Sequence, residues 1–243
     1  MWRTPTVLVT GGSILVGLVI LVLVLLRPGT GNNAGPVTVP TSSIPAGLAS
    51  GRTLGSATAP VTIDVWTDYQ CPYCGLLARL IEPRLVTEFV VPGTAKIVAH
   101  DFSFIGQGRN PDESTDAAVA ARSAEKQGKY WEYRDYLYWN QHNENAGDFV
   151  RSRLLAMATA LKLDQAAFTT SLDDQTIRSA VAAETAQGSA MGIKQTPTLV
   201  INGRIYTGEL TYDAIATAVR AAAAERAAGG SPSPVPSGAS TAP

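Results

Sequence analysis

Cysteine is almost absent from this chain: there are two among 243 residues, both inside the stretch Cys71-Pro72-Tyr73-Cys74. That count excludes metal sites built from three or four cysteines and scaffolds held by several disulfides. Histidine is as scarce. His100 and His142 are the only two and lack the short mutual spacing of a zinc-finger pair, so no metal site is expected. Neither sign of charge dominates, since 19 basic and 20 acidic residues leave a net charge of −1. Without a basic stripe for a phosphate backbone, nucleic acid is disfavoured as a partner. No internal repeat and no cofactor signature is evident.

Charge is missing altogether from three long stretches. Val7 to Leu26 is apolar and uncharged, bracketed by Arg3 and Arg27, and a bilayer-spanning helix takes about 20 residues. The run exceeds the roughly 7–15 apolar residues of a cleaved signal peptide, and no small-residue cleavage site follows at once. It reads as an uncleaved signal anchor over 7–26 behind a short cytoplasmic segment, 1–6, an orientation the flanking charges favour only weakly. Residues 27–51, uncharged from Pro28 onward and rich in Gly, Pro, Ser, Thr and Asn, are expected to form a flexible linker. Residues 228–243 are expected to be a disordered Ser/Pro-rich tail. What remains, 52–227, is enough for one domain with a sizeable core.

Within that domain, Val61 to Trp66 has the apolar, β-branched character of a strand, and a helix is expected from Cys71 through Leu76, Leu77, Leu80 and Ile81. Pro83 should kink it before Leu85 to Phe89. Ala95 to His100 reads as a second strand. An alanine-rich helical block follows from about Asp112 to Gly192, broken near Gly128, Asn143 to Gly147 and Asp164. Thr198 to Ile201, Asn202-Gly203 and Arg204 to Tyr206 give a hairpin signal, and Thr211 is a plausible N-cap for a last helix from Tyr212 to Ala227. The order defines an α/β domain interrupted by helices. The aromatic segment Tyr130 to Trp139 is expected to pack within the insertion, with a substrate-facing apolar surface as the alternative.

The two cysteines therefore sit at a strand-to-helix junction. A thiolate at Cys71 would face the unpaired N–H groups and positive dipole end of the helix, which lower a thiol pKa. Cys71 is the candidate nucleophile and Cys74, one turn further in, the candidate resolving thiol. Pro72 suits the first helical turn, and Tyr73 completes the pair of residues that tune the site. An inert short-range disulfide and half of a zinc site are the competing readings. A cis bond before Pro197 would expose the Thr196 backbone beside the cysteines, where an extended substrate peptide could pair with it.

Four segments carry a resemblance to a known family: Leu54 to Ile63, Asp68 to Gly75, Glu125 to Tyr133, and Gly192 to Gly203. Together they resemble the DsbA-like thiol:disulfide oxidoreductases of the thioredoxin superfamily, especially the membrane-anchored bacterial type. The resemblance implies a thioredoxin-like fold with a helical insertion at about 106–192, a nucleophilic Cys71, a resolving Cys74 and a cis Thr196–Pro197 bond. It also implies a site on the extracytoplasmic side of the cell membrane. Many relatives place an acidic residue six positions before the first cysteine; here that position is Val65, and alternation turns Asp64 to the other face. Proton transfer from Cys74 would then use water or Asp68. The dipeptide Pro-Tyr replaces the Pro-His of the strongly oxidising prototype.

The expected function is an oxidase that introduces disulfides into secreted or surface proteins. Its electron acceptor would be a membrane quinone-linked thiol oxidase, DsbB-like or vitamin K epoxide reductase-like, and it would work as a monomer. The lack of other cysteines suits an oxidising compartment. One alternative is a reductase or isomerase kept reduced by a membrane electron donor; Pro-Tyr is also the glutaredoxin dipeptide, though residues 27–51 are too short and too polar to be the N-terminal dimerisation domain that isomerases of this superfamily usually carry. The other is a copper-delivery factor, for which His100, His142, Met157 and Met191 show no evident relation to the pair.

Overall fold

The computed structural model describes residues 35–229 apart from 42, 43 and 46. The expected anchor over 7–26 and nearly all of the 228–243 tail lie outside them. Among the described residues no helix is long and apolar enough to cross a membrane.

Six strands form one sheet: β1 (Ala49–Ser50), β2 (Thr53–Leu54), β3 (Val61–Thr67), β4 (Ala95–Asp101), β5 (Thr198–Ile201) and β6 (Arg204–Ile205), in the order β1-β2-β4-β3-β5-β6. β3 is central, parallel to β4 and antiparallel to β5. Its alternation buries Val61, Ile63 and Val65 on one face, while Thr62 and Asp64 are half-buried on the other. The β5–β6 hairpin turns on Asn202 and Gly203, with φ of 47° and 82°. Two successive positive φ values define the turn whose twist matches paired strands, and Asn-Gly tolerates them best.

After β3 the chain is helical from Pro72 to Val90. Two α-helical pieces, α1 (Pro72–Leu76) and α2 (Glu82–Leu85), alternate with π-helical turns at Leu77–Ile81 and Val86–Val90. Pro83 has no N–H to give the preceding turn, and the chain accommodates this beside a widened turn.

The insertion between β4 and β5 holds α3 (Glu113–Glu125), α4 (Tyr130–Trp139), α5 (Arg151–Ala160), α6 (Gln165–Leu172) and α7 (Gln175–Ala190), and α8 (Tyr212–Ala227) closes the domain. Aspartates cap three of these helices: Asp112, Asp164 and Asp174 accept from the N–H groups of Thr115, Ala167 and Thr176, satisfying donors that a helix start leaves orphaned. α3 is the centre of the insertion, with Ala117, Ala118, Val119, Ala120, Ala121 and Ala124 all buried. Its small side chains let neighbouring helices approach it on several sides. Gly188 on α7 serves the same end: a Cβ there would meet the Trp66 ring at 2.9 Å and Phe102 at 2.8 Å.

Two charged clusters bind the insertion to the rest. Arg134 on α4 makes a bidentate pair with Glu82, both bonds 2.8 Å and both residues buried. Across the other face of the sheet, His100 bonds to Asp64 at 2.9 Å and Glu184 at 2.8 Å. Glu184 also pairs with Arg52 and Arg122, and Trp66 stacks on the His100 ring with centroids 4.4 Å apart.

The flexible linker expected over 27–51 needs correction at its C-terminal end. Thr38 exchanges two hydrogen bonds with the Asn140 side chain, at 2.7 and 2.8 Å. Val37, Ile44 and Leu48 pack on the core, and Ala49–Ser50 adds a strand to the sheet edge. A few apolar residues and backbone pairing suffice to dock an uncharged segment that composition alone marks as a tether.

Candidate active site

β3 delivers the chain to the turn Asp68-Tyr69-Gln70, and the turn delivers Cys71 to the N-cap of α1 with φ −71° and ψ 120°. Asp68 organises this turn from within. Its Oδ1 accepts from Gln70 N (2.8 Å) and Ser114 Oγ (2.8 Å), and its Oδ2 from Phe104 N (2.9 Å) and Ile105 N (3.0 Å). Burial pushes this carboxyl upward while the four donors hold it down. Burial prevails, so the carboxyl stands above its ordinary value even with both oxygens engaged. Val65 is buried on β3 and Asp64 is turned to His100.

Cys71 and Cys74 are not joined to each other, and both are buried, 5% and 1% exposed. Their titration differs sharply. The hydrogen bond from Cys74 lowers Cys71 most; burial opposes it, and Thr196 with the N–H groups of Cys74 and Tyr73 adds to the lowering, which brings the thiol to about 6. Burial, and then the neighbouring Cys71, push Cys74 well above the ordinary thiol value. Pro72 occupies the first turn of α1, where no N–H is required.

The loop before β5 supplies the opposite wall. Thr196–Pro197 is cis, and the Cys71 thiol donates to the Thr196 carbonyl across 3.2 Å. The Thr196 hydroxyl is buried with no hydrogen-bond partner among the described residues; Thr196 adds to the lowering of Cys71 and opposes the rise of Cys74. Tyr73 is 64% exposed. It borders a groove of about 570 Å³ lined also by Ile193, Pro197, Ile205, Tyr206 and Leu210. Cys71, Cys74, Thr196 and Pro197 thus converge, with Pro72 and Tyr73 on the rim.

The remaining candidates lie elsewhere. His100 has both ring nitrogens engaged by carboxylates, and His142 pairs with Asp148. Among the described residues no cluster of histidine, cysteine and carboxylate could hold a metal. In the aromatic segment Tyr130, Trp131, Tyr133, Tyr136 and Tyr138 are buried: Tyr69 and Tyr130 hydroxyls meet at 3.1 Å, and the Tyr69 and Tyr138 rings pack at 5.2 Å. That segment supports the catalytic turn from behind. Sequence reasoning misses four polar residues around the turn, Gln70, Ser114, Gln141 and Asn145. Gln70 bonds to Ser114 and to Asn145, and Gln141 to the carbonyls of Tyr69 and Cys71. They come from three separate stretches of sequence, and no local pattern marks them.

Comparison with known proteins agrees with this geometry. A family model described as Thioredoxin matches residues 49–221. Disulfide bond formation protein D of Bacillus subtilis is 27% identical over 166 residues, which cover 67% of this chain and 72% of that protein. The crystal structure of oxidised BdbD from Bacillus subtilis superimposes with a TM-score of 0.64 at 25% identity, covering 72% of this chain and 93% of that one. The chain belongs to the thioredoxin family, and these likenesses place it with the DsbA-like thiol:disulfide oxidoreductases. It is also 30% identical over 168 residues to Na(+)/H(+) antiporter NhaA 3 of Salinispora tropica; that match covers 69% of this chain and 24% of the antiporter, so the chain spans about a quarter of that relative's length.

Proposed function

We propose that this protein is an extracytoplasmic protein dithiol oxidase that introduces disulfides into secreted or surface proteins through Cys71 and Cys74. The observation that carries the reading is the asymmetry of the pair. Cys71 sits at a helix start with its thiol against the Thr196 carbonyl at 3.2 Å and held well below its ordinary pKa, and Cys74 lies buried behind it.

In the disulfide form, a substrate thiolate attacks Cys71 Sγ. A substrate–Cys71 bond forms, the Cys71–Cys74 bond breaks, and its electron pair goes to Cys74, whose burial favours taking a proton. A second substrate thiolate then attacks the substrate sulfur of the mixed disulfide, and Cys71 leaves as a thiolate the site stabilises. Low leaving-group pKa speeds that step. Two electrons have passed to the pair, and a quinone-linked membrane thiol oxidase removes them. Thr196 offers its backbone to an extended substrate segment in the groove beside Tyr73.

Support for the compartment comes from the uncharged run 7–26 and from the absence of any cysteine outside the pair. Cys71→Ser should abolish oxidation of a reduced dithiol substrate, whereas Cys74→Ser should accumulate mixed disulfides through Cys71. Protease added to intact spheroplasts should reach the domain; full protection would refute the topology. In cells the pair should be found mainly oxidised, and a mainly reduced pair would mark a reductase instead.

A further inference from the structure

Cysteine is a poor residue to place at a helix start. An N-cap is ordinarily a residue whose side-chain oxygen accepts from the first turn, and Cys71 makes no such cap. The turn that presents it is closed from outside by Gln141, in the segment that follows α4. The Gln141 amide donates to the Tyr69 carbonyl at 2.8 Å and to the Cys71 carbonyl at 2.7 Å. Both hydrogens of one amide group thus hold the chain on either side of Gln70.

Gln141 is itself held. Asn140 before it bonds through its side chain to Tyr136 O and to the Thr38 backbone, and His142 after it donates from its N–H to Asp148 at 2.7 Å. The contact is reciprocated, because Arg79, from the helical stretch after Cys74, donates to the Tyr138 carbonyl at the end of α4. Gly75 makes room for the crossing. A Cβ there would collide with Gln141 Oε1 and come within 2.7 Å of an Arg79 guanidinium nitrogen. A side chain at this position would displace the ends of Gln141 and Arg79, although alanine would suit a helix better by about 1 kcal/mol.

We propose that Gln141 is a positioning residue for the redox pair: it fixes the Tyr69 and Cys71 carbonyls, and with them the turn that sets Cys71 Sγ against the Thr196 carbonyl. The helical insertion thereby sets how strongly the thiolate is held, and so the oxidising strength of the pair. Gln141 reaches backbone oxygens and not the sulfurs, so it acts through the turn. The inference rests on Cys71 being the nucleophile of a redox pair.

Three substitutions in the full chain test it. Gln141→Met keeps the length and removes both donors, Gln141→Glu is isosteric and places acceptors against two carbonyls, and Gly75→Ala leaves Gln141 intact but fills its slot. Each variant is measured for the pH profile of Cys71 alkylation, the equilibrium with glutathione and the thermal midpoint. The profile should move upward by about one pH unit in every variant that folds, which at pH 7 shifts the glutathione equilibrium about fivefold toward the disulfide form. Wild-type profiles and equilibria in both Gln141→Met and Gly75→Ala would overturn the inference even if their thermal midpoints fell. Failure of the wild-type protein to show a lowered Cys71 titration would instead overturn the functional reading beneath it.

Discussion

Acidifying the reduced protein should make Cys71 increasingly unlike an ordinary thiol. At about 6, against an ordinary 9.0, Cys71 would be ~90% thiolate at pH 7 and ~10% at pH 5, where an unperturbed thiol is ~1% and ~0.01% ionised. Per thiolate, a pKa lower by three units reduces nucleophilicity roughly twentyfold. The net advantage in alkylation rate is then about fivefold at pH 7 and about fiftyfold at pH 5. Burial slows the absolute rate, so the quantity to measure is the profile: iodoacetamide labelling followed by mass spectrometry between pH 4 and 10, with thiolate absorbance in parallel. One inflection near 6, assigned to Cys71, is expected, with Cys74 unlabelled through the neutral range. Because the Cys74 contact contributes most to the lowering, Cys74→Ala should move the inflection upward. The reduced form should also gain stability over the disulfide form as pH rises from 6 to 9, by at most about 4 kcal/mol and less after solvent screening. A single shared inflection near 9, or equal labelling of the two thiols at neutral pH, would refute the reasoning.

Other substitutions probe the frame that holds the site. Glu82→Ala strands the buried Arg134 guanidinium and should cost about 3–5 kcal/mol in a denaturant melt; a loss under about 1 kcal/mol would show the pair to be dispensable. Asp68→Ala leaves three backbone N–H groups and the Ser114 hydroxyl without their acceptor, at about 1–3 kcal/mol for each donor left buried. An unchanged unfolding midpoint would contradict that role. Burial opposes the charge on His100, but hydrogen bonds to Asp64 and Glu184 outweigh it and raise the imidazole to about 9. Its contribution, on the order of 3 kcal/mol, is fully present below 6.5 and lost as pH rises through 9. His100→Gln should flatten that part of the stability profile, and an unaltered fall would refute the assignment.

The parts legible in the sequence are those governed by local rules. The alternation of Val61, Ile63 and Val65 marks the central strand, Asn202-Gly203 marks the hairpin, and Thr211 caps α8 by accepting from Ala214 N. The spacing of Cys71 and Cys74 at a strand–helix junction is likewise readable along the chain. Contacts between segments more than 30 residues apart are not. Gln141 looks like any polar residue in a loop until its amide is seen 2.7 Å from the Cys71 carbonyl, and nothing along the chain shows that Asp68 gathers four donors. The edge strand Ala49–Ser50 escapes notice for a related reason: two residues carry no period, and their pairing with Thr53–Leu54 supplies the order.

The redox equilibrium of the full-length chain, purified in detergent and titrated against glutathione, bears most directly on whether this site makes disulfides. A stabilised Cys71 thiolate favours the reduced pair, so the potential should be less negative than about −180 mV, in the range of protein disulfide isomerase and stronger oxidants. A value near about −270 mV, that of thioredoxin, would mean that the pair gives electrons to its partners rather than taking them.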